Sequence, residues 1–191
     1  MVRRLKDKKK SGQERFVGLD SSLLEYWAWA HSDISSNAER GKLAEYLVAR
    51  AVQDEAECRI EWEPYDVLSL EKIKIEVKAS AYLQTWRQNR LSAIIFDIAP
   101  KREWVREKNQ FAGELYRPAE VYVFCLFACK DSINSNPMDV NQWEFYVLNT
   151  KTLDEKVPVQ KTIGLNSLKK LGAVQTDYSH LQETVRKEGQ K

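Results

Sequence analysis

Asp66, Glu76 and Lys78 are the residues whose types and spacing suit chemistry on a phosphodiester. Two carboxylates presented together repel each other, and a divalent cation relieves that repulsion. Mg²⁺ takes oxygen ligands and keeps several waters, so one or two carboxylates plus a substrate phosphate make an ordinary site for it. A lysine beside such a pair can orient a water, assist its deprotonation and stabilise charge developing on phosphorus. Metal-assisted hydrolysis is the reaction these three groups could carry.

The stretch that must position them is residues 64–80, PYDVLSLEKIKIEVKAS, which predicts a β-hairpin. Residues 65–70 are rich in strand formers, and Ile73, Ile75 and Val77 alternate with Lys74, Glu76 and Lys78. Successive side chains of a strand point to opposite faces, so the aliphatics enter the core while Glu76 and Lys78 emerge together, roughly 6.5–7 Å apart. The short link at 69–72 favours antiparallel pairing, which brings Asp66 opposite Glu76 to within about one residue. The bland alternative is that such alternation marks any half-solvated strand.

A helix over 38–56 precedes the hairpin, with Ser36 and Glu39 at capping-box spacing. Its apolar arc comprises Gly41, Leu43, Ala44, Leu47, Val48, Ala51 and Val52. Glu45 falls at the edge of that arc. There it is either an interfacial acid reaching solvent or a third acid turned toward the hairpin.

The remaining pattern predicts strands at 59–63, 91–99, 121–129 and 143–148, the apolar run 121–129 being the central buried one. Helices are expected at 20–31, capped by Asp20 or Ser21, at 163–171 and at 178–188. Trp27 and Trp29 are expected to pack rather than to stack on bases, and His31 to sit at the surface or in a cap. Residues 101–120 read as a charged loop with a short helix, and 131–142 as a loop.

The 191 residues carry a formal net charge of +2, unevenly placed. Residues 1–17 read as a basic, flexible arm that includes Arg3 and Arg4, and 18–191 as a single domain, slightly acidic without the arm. Cys58, Cys125 and Cys129 show no zinc-type spacing and read as free thiols of a reduced, cytoplasmic protein. No apolar run approaches the roughly 18 residues needed to span a membrane, and the charged N-terminus lacks the apolar segment of a signal peptide.

Glu45 on an early helix, Asp66 on one strand and Glu76-Val77-Lys78 on the next resemble the PD-(D/E)xK nuclease superfamily, the restriction-endonuclease-like fold, over about residues 36–80. The resemblance implies an α/β fold of the mixed-sheet, α+β kind: helix, β-hairpin, then further strands with flanking helices. It implies a Mg²⁺- or Mn²⁺-dependent nuclease hydrolysing DNA with a metal-activated water and leaving a 5′-phosphate. Asp66 and Glu76 would bind metal, Glu45 would support a second ion or a metal-bound water, and Lys78 would assist the water. Gln84 resembles a glutamine that several members carry shortly after the lysine, and Ser80, on the face of Lys78, could meet a phosphate. DNA is the expected partner, its backbone tracked by Lys74, Arg87, Arg90 and the arm. Many members pair as homodimers, and the sequence leaves that open. Two rival readings stand: a non-catalytic nucleic-acid-binding or assembly module on the same fold, and an interaction domain whose acidic patch is only a solvated sheet face.

Overall fold

The computed structural model describes residues 9–53, 58–59, 63–105 and 110–191. Two helices, α1 (Leu23–His31) and α2 (Asn37–Val52), lead into a hairpin of β1 (Val67–Leu68) and β2 (Lys74–Ala81). There follow β3 (Ile95–Asp97), β4 (Lys101–Val105), β5 (Gln110–Tyr116), β6 (Val121–Phe127) and β7 (Trp143–Asn149). The chain ends in α3 (Thr150–Lys156), β8 (Thr162–Gly164), α4 (Leu165–Lys170), β9 (Val174–Thr176) and α5 (Leu181–Gly189).

The main sheet is mixed, in the order β1-β2-β6-β7-β9, with β2 and β6 parallel and the other neighbours antiparallel. This is the expected α+β architecture. β6 is buried at every position because both faces of the sheet are covered, which is why its sequence is continuously apolar. On one face Ile75, Val77, Val123 and Phe145 pack with Ala44, Leu47 and Val48 of α2 and with Leu181 and Val185 of α5. On the other, Tyr122, Phe124 and Tyr146 pack with Phe96, Ile98, Leu153 and Leu168. Each such side chain contributes about 1.5–3 kcal/mol of burial.

Several expectations are corrected by longer-range packing. Residues 101–120 hold no helix among those described: β4 and β5 pair as an antiparallel hairpin. The strand expected over 91–99 contracts to β3, which pairs with β8 outside the main sheet. β8 in turn takes the first residues of the helix expected at 163–171. α1 is capped by Ser22 in a reciprocal capping box with Glu25, not by Asp20 or Ser21. Trp29 is fully displayed at 85% exposure, so it does not pack as expected. Ser36 caps α2 by accepting the Glu39 N–H at 3.4 Å, while the Glu39 carboxylate turns to Lys42 and His31. The strand expected at 59–63 falls largely outside the described residues, as do Arg3 and Arg4.

The hairpin is set by a tight turn in which the Lys72 N–H bonds to the Ser69 carbonyl at 3.0 Å and Lys72 adopts φ +66°. α5 closes directly on it: a Cβ added at Gly189 would stand 2.7 Å from Ile73 Cδ1. Buried Arg117 donates to the carbonyl oxygens of Ile98, Val157, Pro158 and Gln160, tying the end of the β4–β5 hairpin to the body. Among the described residues no helix is long and apolar enough to cross a membrane.

Candidate active site

β1 and β2 pair with Val67 opposite Ile75 and Leu68 opposite Lys74. The Asp66 N–H bonds to the Ile75 carbonyl at 3.0 Å, one residue off the register that sets Val67 opposite Ile75, so Asp66 stands beside Ile75 and Glu76 at the end of the ladder. Its carboxylate folds back across the hairpin, and Oδ2 accepts the Val77 N–H at 2.7 Å. Burial, then the charge of Glu76, raise the Asp66 carboxyl to about 6, with a further push from Glu45; the Val77 N–H and the Lys78 ammonium oppose the rise. Electrostatically the three acids form one group.

Glu76 departs from the open face expected of it. Because the second core covers this side of the sheet, Glu76 is 1% exposed. Its Oε1 accepts two ammonium groups, Lys78 Nζ at 2.7 Å and Lys101 Nζ at 2.5 Å. A carboxylate buried without such partners would be prohibitively costly. Burial works against the Lys78 ammonium, yet Glu76, by attraction and by hydrogen bonding, more than offsets it and holds the group above the usual lysine range. Lys78 is therefore a cation here and a hydrogen-bond donor, not a free base. Burial, then Glu76, also push up the hydroxyl of Tyr122, its neighbour in register on β6.

Glu45 lies on α2 as expected and shares a cleft of about 350 Å³ with Asp66, Tyr65, Tyr46 and Arg59. Its carboxylate is taken by Arg59, whose Nε and Nη2 both donate to it. Glu76 and Lys78 are not among the residues that line this cleft. Ser80 follows Lys78 on β2, half-buried. Gln84 is not brought to the acids: it accepts from Arg40 Nη2 at 3.1 Å and donates to the Ala81 carbonyl at 3.0 Å. Lys74, Arg87 and Arg90 are exposed, Lys74 at the start of β2 on the side of Glu76.

Lys101 and Arg59 are groups that reading the sequence missed. Asp97 is a third, an exposed acid whose charge reaches Lys78. No local pattern marks them, since each reaches the site from an element whose placement depends on the tertiary fold. Cys125 is a buried free thiol, as expected, and Cys58 and Cys129 are also unpaired with each other.

Among the described residues no three His, Cys, Asp or Glu side chains are gathered closely enough to hold a metal ion by themselves. The donor set nevertheless suits a hard divalent cation. Asp66 and Glu76 offer carboxylate oxygens, Asp66 is raised by a like-charged neighbour that a cation would neutralise, and Mg²⁺ needs only one or two protein carboxylates when a substrate phosphate completes its shell.

Residues 5–167 match a family of endonucleases, so this is a nuclease-family protein. The chain belongs to the bacteriophage T4 endonuclease IV family. None of the curated proteins matches it.

Proposed function

We propose that the chain is a Mg²⁺- or Mn²⁺-dependent endonuclease of the PD-(D/E)xK kind, hydrolysing phosphodiester bonds of DNA. The observation that carries this reading is the Asp66 carboxylate held on the Val77 N–H between Glu76 and Lys78, with Lys78 Nζ on Glu76 and the charges of Glu76 and Glu45 felt at Asp66. Membership of an endonuclease family supplies the reaction class and the polymer.

A divalent ion, when bound by Asp66 and Glu76, supplies Lewis acidity toward the phosphate and a lowered pKa for water. The chain's own groups do the rest. The Val77 N–H fixes the direction of the Asp66 carboxylate. The Lys78 ammonium, now on Glu76, would donate to the attacking water or to the phosphate, where charge grows in the transition state. Lys101, on the β4–β5 hairpin, holds the same Glu76 oxygen and would be a second cation for the phosphate. Glu45 holds Arg59 at the cleft mouth, a cation for the substrate backbone.

Nicking of supercoiled plasmid by wild type and Lys78→Ala, each with Mg²⁺, Mn²⁺ or EDTA, tests the reading. Metal-dependent nicking lost in the variant supports it; nicking that survives in Lys78→Ala removes the site. One observation favours a second reading, a non-catalytic nucleic-acid-binding module: Glu76 is already neutralised by two lysines. Metal-independent DNA binding without cleavage would favour that module.

A further inference from the structure

Arg40 is explained neither by the core nor by the acids. It lies near the start of α2 yet is 4% exposed. Nη1 donates to the Ser35 carbonyl at 2.7 Å, and Nη2 donates to Asn37 Oδ1 and, at 3.1 Å, to Gln84 Oε1. Every one of these acceptors is neutral. Nε is buried with no acceptor at all. Burial lowers the proton affinity of the guanidinium with no acid opposing it, and an arginine remains charged under such a shift. A buried cation without a counter-charge is expensive and calls for an anion.

The guanidinium lines a cleft of about 440 Å³ together with Ser35, Gln84, Thr85, Trp86, Ser132 and Ser135. Its wall carries hydroxyls, amides and an indole, with Leu83 and Phe127, and no carboxylate, unlike that of the acid-bearing cleft. An adjoining hollow shares Trp86 and Gln88 with it and adds Arg87 and Arg90, so the positive charge continues outward. The cleft opens just past the end of β2, roughly 10 Å along the strand from Lys78, whereas phosphates recur about every 3.4 Å of axis on one strand of a duplex.

We propose that this cleft is a phosphate subsite, in which Arg40 and the surrounding hydroxyls hold a backbone phosphate a few nucleotides from the bond that is cut. The placement relative to the cut bond rests on the nuclease reading above; the phosphate chemistry does not. The guanidinium keeps two undonated hydrogens, on Nε and Nη1, and these with the flanking hydroxyls suit the oxygens of a phosphate and leave the base unread.

The test uses the full chain in EDTA, so that no cleavage intervenes, as wild type, Arg40→Gln and Ser132→Asp. Ser132 is exposed, so Ser132→Asp sets a negative charge on the rim without touching the buried network and serves if Arg40→Gln fails to fold. Inorganic phosphate is followed by its effect on melting temperature, and a labelled oligonucleotide by its affinity across salt concentrations. Phosphate should raise the melting temperature of wild type by a few degrees and of neither variant. Oligonucleotide affinity should fall about tenfold in each variant, and the salt slope of Arg40→Gln should shrink by about one. A folded variant that binds both probes as wild type does overturns the proposal. Loss of phosphate protection with oligonucleotide affinity intact overturns its nucleic-acid half and leaves a free-anion site. If the chain binds phosphate at Arg40 but never binds or cuts DNA, the anion site stands and the nuclease reading falls. If it cuts DNA while both variants bind as wild type, the reverse holds.

Discussion

Asp66 and Glu76 come together on one hairpin, close enough for the charge of Glu76 to raise the Asp66 carboxyl, yet the two carboxylates are satisfied by opposite means. Glu76 accepts two ammonium groups at 2.7 and 2.5 Å, whereas Asp66 accepts a backbone N–H at 2.7 Å. The buried acid is thereby neutralised by cations and the half-buried one is left electrostatically strained, at about 6. A divalent ion bound by both would relieve Asp66 and compete with the lysines for Glu76.

Lys78→Ala should lower metal-dependent cleavage by about 10²–10³-fold, the cost typical of removing one donor from developing charge. Lys78→Arg, which keeps the charge in a different shape, should recover part of that loss. Initial nicking rates at saturating Mg²⁺ provide the comparison, with circular dichroism to verify folding.

Asp66 should govern a pH effect whose sign is fixed by the direction of its shift. Its folded value, about 6, lies above the ordinary 3.8, so its stabilising contribution is complete only below about pH 4 and is lost as pH rises through about 6. Without metal at pH 7.5, Asp66→Asn should therefore melt a few degrees above wild type, on the order of 1–2 kcal/mol, and the two should converge toward pH 4. Mg²⁺ should raise the melting temperature of wild type alone. Cleavage by wild type should rise with pH through this range, while the variant stays inactive. Thermal melts between pH 4 and 8 would expose the error if the variant melts lower at pH 7.5.

Lys101→Met should tighten divalent-ion binding about 3–10-fold, because an ammonium competing for the Glu76 oxygen is removed. The midpoint of Mn²⁺-dependent thermal stabilisation reads this directly. An unchanged or weaker midpoint would mean that Lys101 supports the site instead of competing in it.

Gly189→Ala should destabilise the fold by about 1–3 kcal/mol, since the new Cβ would press on Ile73 at the root of the hairpin. Urea denaturation gives the loss. Truncating the opposing side chain, as Ile73→Val, should recover part of it, which an unrelated defect at the C-terminus would not allow.

The hairpin could be read from the sequence because its signals are local: Ile73, Ile75 and Val77 alternate with Lys74, Glu76 and Lys78, and the turn is short. The buried run of β6 was equally plain. What could not be read depends on what lies across space. Nothing near Glu76 in the chain reveals that Tyr122 stands beside it on β6 in a covered face of the sheet or that Lys101 returns to it. Arg40 lies outside the apolar arc of α2, and its burial goes with the contact it makes to Gln84, 44 residues away in the chain. Gln84 itself, expected near the acids, was diverted by the same contact. The β4–β5 hairpin went unseen because its charged, mixed composition resembles a loop until pairing gives it a register.

The parallel union of β2 with β6 has a kinetic consequence. The Lys74 N–H bonds to the Glu120 carboxylate across 46 residues of chain, whereas Asp66 and Glu76 meet within a single short hairpin. Hairpins close in about 1–10 μs, far sooner than long-range parallel pairings. The acids thus come together while still hydrated, and β6 arrives later to strip water from Glu76. Drying that carboxylate belongs to the slow stage of folding, and mutations at Tyr122 or Lys101 should register in the folding rate as well as in the finished site.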